Sequence, residues 1–480
     1  MMSRFQPLRL PSALTILIVA GTLLISLVLG PIVYLGQIGL QELVVVVLAA
    51  LVASLVFAPS ERVLKFGFWV WIASFGFGWR TVHVTTALNF HPAEVLAWLL
   101  FIVLIARSIV RRDHLDFSIP APILLIMPFV LMGMLIGVYM VIANIDQIVQ
   151  EAKIFLVLVP SYYVVKWLVR TRADWERAIL LSVIVAAYVS ALGFLDYFLP
   201  GLSQSLAGSS ANTLYVTEEQ GFGRVGFILY GSFSAGFLIF TFFGMSVHYF
   251  IHSLKGSDAT RIVTGGIVLI ELIAMYFSGY RGVWAAIAAF LVIYAFVQRR
   301  AWFLPAAIVA ILPFMPSQFL ERLQSLFNSS FADSSQVQHF SRAAFALDFV
   351  NRYPLFGAGF GATGYVHADL IQIAGDLGIP ALLVFLSLVF GMIWKTWRLA
   401  QRPTWFGEYA GALFATICGL LVVLSGEGLI VWIQLMVPVW FVFAMSDKLA
   451  ELASKESAPL ANAALAVSTP AITRTPAFED

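Results

Sequence analysis

Long apolar runs recur along the whole chain, and they constrain its fold more than any other feature. A run of about 20 apolar residues is long enough to cross a bilayer as a helix. Only 11% of the residues are charged, whereas soluble domains carry about 25%. A transmembrane β-barrel would instead show short segments of alternating hydrophobicity. The sequence therefore predicts an all-α, polytopic membrane protein.

The hydropathy pattern predicts about 14 transmembrane helices and one structured extracytoplasmic loop. The predicted spans are residues 12–30, 35–57, 63–79, 93–110, 119–142, 153–169, 178–198, 226–251, 262–279, 283–298, 301–316, 377–395, 409–425 and 429–446. No small-x-small cleavage site follows the first span, so we expect an uncleaved membrane helix there.

Three regions follow from this pattern. Residues 1–225 are predicted to hold transmembrane helices 1–7 and the first long outer loop. Residues 226–446 form the predicted catalytic membrane region, which includes an outer loop at residues 317–375. Residues 447–480 are rich in Ala, Ser, Thr and Pro, and we expect them to be a disordered cytoplasmic tail.

Basic residues indicate the orientation of the predicted bundle. With the N-terminus in the cytoplasm, most of the 28 basic residues lie on the inner side, in agreement with the positive-inside rule. Both termini are therefore predicted to be cytoplasmic. The basic residues left on the predicted outer side are nearly all arginines, namely Arg80, Lys153, Arg224, Arg281, Arg322, Arg342 and Arg352.

Three of these outer arginines are candidates for binding phosphate. A guanidinium group can contact a phosphate through two N–H donors at once. Arg224, Arg281 and Arg342 each lie next to a glycine or at the start of a predicted helix. Arg281 lies in "FSGYRGVW", a tight outer turn with a glycine on each side. At the headgroup level such a set would bind a lipid-anchored diphosphate; the alternative is contact with phospholipid headgroups.

The second long outer loop contains recognisable structure. "SQFLERLQSLFN" and "HFSRAAFALDFVNRYP" each have an amphipathic helical pattern, and the second helix should end just before Pro354. The glycine-rich stretch "PLFGAGFGATG" follows and leads into a helix that starts near His367. No strand precedes these glycines, so we do not interpret them as a nucleotide-binding loop.

His367 is the candidate general base, because histidine titrates near neutral pH. The alternative is a surface histidine without a role. Asp369 is near enough in sequence to orient its ring, whereas Asp376 falls on the other side of a continuous helix. Glu427, in the outer turn "SGEG", is a predicted neighbour of an outer arginine. The outer acids form no cluster typical of a metal site, so we expect metal-independent chemistry without a cofactor.

Two acidic residues fall within predicted spans. Glu271 and Asp196 lie in apolar surroundings, and an ionisable group at membrane depth indicates a functional site. Glu271 is too far along its helix from Arg281 to be its direct partner.

Taken in order, these motifs resemble those of the O-antigen ligase and O-antigen polymerase superfamily. "FSGYRGVW" is similar to the Ser-Gly-x-Arg-Gly signature of that superfamily. "RYPLFGAGFG" followed by "HADLIQIAGDLGIPALLVFL" resembles its loop motif, in which a histidine begins a helix. The resemblance covers residues 224–389. Ala368 stands where the family usually has Asn, and Ala381 where it usually has Gly.

The resemblance implies an integral membrane glycosyltransferase of cell-surface polysaccharide biosynthesis, for O-antigen or exopolysaccharide, in a bacterial inner membrane. Such an enzyme transfers a glycan from undecaprenyl diphosphate to an acceptor hydroxyl on the extracytoplasmic side. The donor glycan, a glycan or lipid acceptor and membrane lipid are the implied partners. Polysaccharide chain-length or export proteins are further candidates, and nucleic acid is not expected.

The same resemblance implies roles for single residues. Arg224, Arg281 and Arg342 would hold the diphosphate of the donor, and His367 would deprotonate the acceptor. The supporting residues are Arg352, Asp369, Asp376 and Glu427. A ligase and a repeat-unit polymerase both fit these residues. A secondary transporter is the alternative from a different class, and it would show paired broken helices in two related halves.

Overall fold

The computed structural model describes residues 61–76, 82–83, 89–111, 115–140, 145–198, 232–299, 334–364, 366, 368–426 and 433–468. Nearly all of this part of the chain is helical, which confirms the predicted all-α class. The exceptions with regular structure are a 3₁₀ turn, Ser74–Gly76, and two short antiparallel strands, β1 (Val82–His83) and β2 (Asn89–Phe90).

The helices are numbered here in chain order through the described residues. They are α1 (Glu61–Ala73), α2 (Pro92–Arg111), α3 (Ala121–Met140), α4 (Ile145–Leu156), α5 (Leu158–Leu168), α6 (Arg172–Phe198), α7 (Ser232–Ser253), α8 (Asp258–Phe277), α9 (Arg281–Val297), α10 (Ser334–Arg352), α11 (Asp369–Leu377), α12 (Ile379–Ala400), α13 (Trp405–Gly426) and α14 (Ile433–Ser468).

Eight stretches within the described residues are long and apolar enough to cross a membrane. They are Pro92–Ile109, Ala121–Met140, Ile145–Leu168, Arg172–Gly193, Ser234–Ser253, Asp258–Phe277, Ile379–Ala400 and Trp405–Gly426. A shorter apolar helix is Gly282–Val297. Each overlaps a predicted span, whereas the predicted spans 12–30, 35–57 and 301–316 lie outside the described residues.

The span predicted at 153–169 begins earlier than its hydropathy indicates. Helix α4 starts at Ile145 and brings Glu151 and Lys153 into the helical bundle, where both side chains are buried. Helices α4 and α5 are separated only at Val157. Pro160 has no N–H to donate to the preceding turn, which accounts for the local break.

The prediction of disorder is wrong for residues 447–468, because α14 continues to Ser468. Leu449 and Leu452 are buried on one side of this extension. Glu451 pairs with Lys448 and Lys455 at helical spacing, at 3.0 and 2.6 Å, and such pairs stabilise a helix. Residues 469–480 lie outside the described part of the chain.

One hydrophobic core joins the helices on both sides of residue 225. The indole N–H of Trp440 donates to the backbone oxygen of Ile154 at 2.9 Å, and that of Trp175 donates to Met445 at 2.9 Å. The ring of Phe242 stacks on Phe75. The N-terminal helices therefore form part of the same packed body as the region that carries the motifs.

Ion pairs join charged residues near the ends of different helices. Lys65 pairs with Asp174 at 2.9 Å, and Lys166 pairs with Asp116 at 2.8 Å. The Lys166 ammonium holds the pKa of the Asp116 carboxyl well below its usual range. Lys153 pairs with Glu94 at 3.1 Å, and both side chains are buried.

Candidate functional site

The turn that contains Arg281 has the tight geometry predicted from its glycines. Gly279 has a φ of 63°, in the left-handed region that favours glycine. The Ser278 hydroxyl donates to the backbone oxygen of Met275 at 2.6 Å and closes the preceding helix. Arg281 is the first residue of α9. The turn thus places this arginine at a helix N-terminus, although its side chain lies outside what the structure describes.

Helix α10 packs across α11 and the segment that leads into it. Ala346 is fully buried and forms a small apolar cluster with Val366 and Ala368, the two neighbours of position 367. Arg342 precedes Ala346 by one helical turn on the same face and is half-buried. His367 itself lies outside the described residues. Arg342 therefore lies on the same helix as Ala346, which packs against both neighbours of His367.

The glycine-rich loop, defined here as residues 357–364, is docked against helices rather than open. Its glycines at 357, 359, 361 and 364 all have positive φ. A Cβ on Gly359 would lie 2.3 Å from the backbone nitrogen of Gly137 on α3, and a Cβ on Gly357 would lie 2.3 Å from the backbone of Asp376. The glycines thus allow backbone-to-backbone contact that no side chain could permit.

The amides of this loop are used to hold it in place. Ala358 N–H donates to Gly375 at 2.8 Å, Gly359 N–H to the backbone oxygen of Asp376 at 3.0 Å, and Phe360 N–H to Gly133 at 3.1 Å. Ala362 N–H turns back to Gly359 at 3.2 Å. These amides are not free to cradle a phosphate, which supports the rejection of a nucleotide-binding loop.

Two further amides of the loop, at positions 361 and 363, point to a pair of buried carboxyl groups. Gly361 N–H donates to Glu151 Oε2 at 2.8 Å. The amide and hydroxyl of Thr363 both donate to Asp376 Oδ1, at 3.2 and 2.8 Å. Burial raises the pKa of the Asp376 carboxyl, and the charge of Glu151 raises it further.

Sequence reasoning missed Glu151. Its predicted span started after this residue, so Glu151 was treated as part of a loop. One local signal could have found it: Gln147 lies one helical turn earlier, and its side-chain amide donates to Glu151 Oε1 at 3.0 Å. Asp376 was predicted as a supporting residue, and the structure places its carboxyl against Thr363 of the glycine-rich loop.

The structure describes two of the other predicted supporting residues, Arg352 and Asp369. Arg352 pairs with Asp348 within α10 at 2.7 Å, and both side chains are largely exposed. Asp369 begins α11 and is buried. Arg224 and Glu427 lie outside the described residues.

The buried acid Glu271 is separate from this region. It lies in α8 and accepts a hydrogen bond from the Ser246 hydroxyl of α7 at 2.8 Å. Ser246 thus supplies a neutral partner within the bundle. Asp196 is part of α6, but its side chain is not among those described.

Fold and motifs together define a multi-pass helical membrane protein with a glycine-rich loop docked onto its helices. Residues 266–386 match the family profile described as O-Antigen ligase. This match confirms the resemblance found in the sequence, and the matched residues include the Arg281 turn and the docked loop. No curated protein matches the chain.

Proposed function

We propose that the protein is a metal-independent glycosyltransferase that transfers a glycan from undecaprenyl diphosphate to an acceptor hydroxyl on the extracytoplasmic side of a bacterial inner membrane. The observation that carries this proposal is the family match over residues 266–386. This one stretch contains Arg281 in its turn and His367 beyond the docked loop. The O-antigen ligase type of reaction follows from the family; donor, acceptor and sidedness are part of the proposal.

The proposed reaction forms one glycosidic bond and breaks one bond to phosphate. His367 takes the proton of the acceptor hydroxyl, and the acceptor oxygen attacks the anomeric carbon of the donor sugar. The bond from that carbon to the diphosphate oxygen breaks, and undecaprenyl diphosphate leaves with the electron pair. Arg224, Arg281 and Arg342 offset the negative charge of this leaving group. The diphosphate is already charged, so positioned arginines can take the part of a metal ion.

The experiment is deletion of the gene and complementation with wild type, Arg281→Ala or His367→Ala, followed by measurement of the lipid-linked glycan that accumulates. We expect both variants to abolish transfer at normal protein level. Arg261→Ala is the matched control, because Arg261 lies at the far end of α8 and pairs there with Asp258 at 3.1 Å. Normal transfer by Arg281→Ala would contradict the assignment.

The length of the stranded glycan separates the two types of enzyme. Long chains left on the carrier lipid indicate a ligase. Single repeat units left there indicate a polymerase. If deletion leaves both long chains and single repeat units on the carrier lipid at wild-type levels, a transporter becomes the better explanation than a glycosyltransferase.

A further inference from the structure

Two buried carboxyl groups meet beneath the glycine-rich loop, and they come from distant parts of the chain. Glu151 lies in α4 and is 5% exposed; Asp376 lies in α11 and is 2% exposed. Two like charges close together away from water repel each other, so both carboxyl groups depend on the N–H and O–H donors that surround them.

The donors around the pair are neutral. Glu151 accepts from the Gly361 N–H and from the side-chain amide of Gln147. Asp376 accepts from the amide and hydroxyl of Thr363. The basic residue nearest in sequence, Lys153, is bound to Glu94 instead. The pair is thus satisfied by dipoles and does not need a cation.

The hydrogen bonds donated by the loop cross from one element to another. Glu151 ties the middle of the loop to α4, and Asp376 ties its last part to α11. The loop then runs through Val366 to position 367, and Val366 and Ala368 are buried against Ala346. A change in the Glu151 anchor would therefore shift the segment that carries His367.

From this geometry we infer that Glu151 is a positioning residue for glycan transfer: its carboxyl oxygen accepts the N–H of Gly361 and so fixes the glycine-rich loop that precedes His367. The inference rests on the proposed function above. It assigns Glu151 no contact with substrate. A displacement of about 1 Å in a reacting group can cost about 100-fold in rate, so a loosened loop is expected to lower kcat.

The test compares two substitutions at the same position. Glu151→Gln keeps a side-chain oxygen that can accept the N–H of Gly361. Glu151→Ala removes that acceptor. Glu176→Ala is the control, because Glu176 forms an exposed pair with Arg172 on another helix. The purified full-length proteins are assayed with a lipid-diphosphate-linked glycan as donor, and kcat and KM are measured separately.

We expect Glu151→Gln and the control to keep kcat near the wild-type value. Glu151→Ala should lower kcat by about 100-fold, with little change in KM. Hydrogen–deuterium exchange of the amides at Gly361 and Thr363 should be faster in Glu151→Ala and unchanged in Glu151→Gln. If the alanine variant does not accumulate, Glu151→Leu fills the space without an acceptor, and the same loss is expected.

Three results would overturn the inference: wild-type kcat in Glu151→Ala, unchanged exchange of the two amides in that variant, or equal damage by glutamine and alanine. The first and third concern the reaction, and the second concerns the loop alone. If the wild-type protein transfers no glycan, the proposed function fails. The exchange experiment still decides whether Glu151 and Asp376 hold the loop.

Discussion

Replacing Gly359 with alanine should detach the glycine-rich loop from α3. Gly359 has a φ of 92°, and a Cβ there would lie 2.3 Å from the nitrogen and 2.6 Å from the Cα of Gly137. Both obstructing atoms are backbone, so no side-chain rotation can relieve the contact. The adjacent Phe360 N–H, which donates to Gly133 at 3.1 Å, would lose its partner if the loop moved away.

Gly364 provides a matched comparison within the same loop. Its φ is 65°, and a Cβ there would meet nothing within 4 Å. Gly364→Ala therefore has only the left-handed backbone penalty, about 1–2 kcal/mol. Gly359→Ala has a similar penalty and in addition an overpacking cost of about 1–3 kcal/mol. The second variant should thus be less stable than the first by about 1–3 kcal/mol.

Hydrogen–deuterium exchange measures this difference where it arises. A free-energy difference of about 1.4 kcal/mol changes an equilibrium tenfold, so the amide of Phe360 should exchange about tenfold or more faster in Gly359→Ala than in Gly364→Ala. Amides of α13, away from the loop, serve as the internal reference. Equal exchange in the two alanine variants would refute the argument that backbone contact with α3 holds the loop.

Three further predictions concern buried polar groups, each read from the midpoint of thermal unfolding. Burial raises the pKa of Asp376 in the folded chain, so the folded state keeps a proton that the unfolded chain loses above about pH 4. The unfolding midpoint should therefore decrease as pH rises from there, and Asp376→Asn should make this decrease smaller. An unchanged pH dependence in that variant would contradict the prediction. Lys153→Met should leave Glu94 buried without its partner and destabilise the fold by about 3–5 kcal/mol, and adding Glu94→Gln should restore most of the loss; a wild-type midpoint in the single variant would refute this. Trp440→Phe should remove the 2.9 Å hydrogen bond to Ile154 at a cost of about 1 kcal/mol, and a midpoint equal to wild type would show that this bond does not stabilise the fold.

Local features of the chain were predictable. The helical spans from residue 93 onward follow from apolar runs, and α10 ends at Arg352, close to the expected stop before Pro354. The turn at Arg281 and the helix start near position 367 were also predicted, because glycine and proline act on neighbouring residues. The tail was mispredicted, since its Ala-rich composition indicates disorder while its charge spacing stabilises a helix.

The candidate site was predictable only in part. Arg342 and Asp376 were selected from their residue type and position, but Glu151 was not. Glu151 and Gly361 are 210 positions apart along the chain. No local pattern in either segment indicates the other, because their contact depends on how α3, α4 and α11 pack together.

By itself, the sequence determined that this protein is a helical membrane protein and that Arg281 follows a tight glycine turn, because hydropathy and backbone freedom are properties of short segments. Only the tertiary structure decided what the glycine-rich loop does. Four of its amides donate to α3, α11 and the loop itself, and those of Gly361 and Thr363 donate to the buried carboxyl groups of Glu151 and Asp376. Two carboxyl groups can be buried near each other only where long-range packing excludes water and supplies hydrogen-bond donors around them.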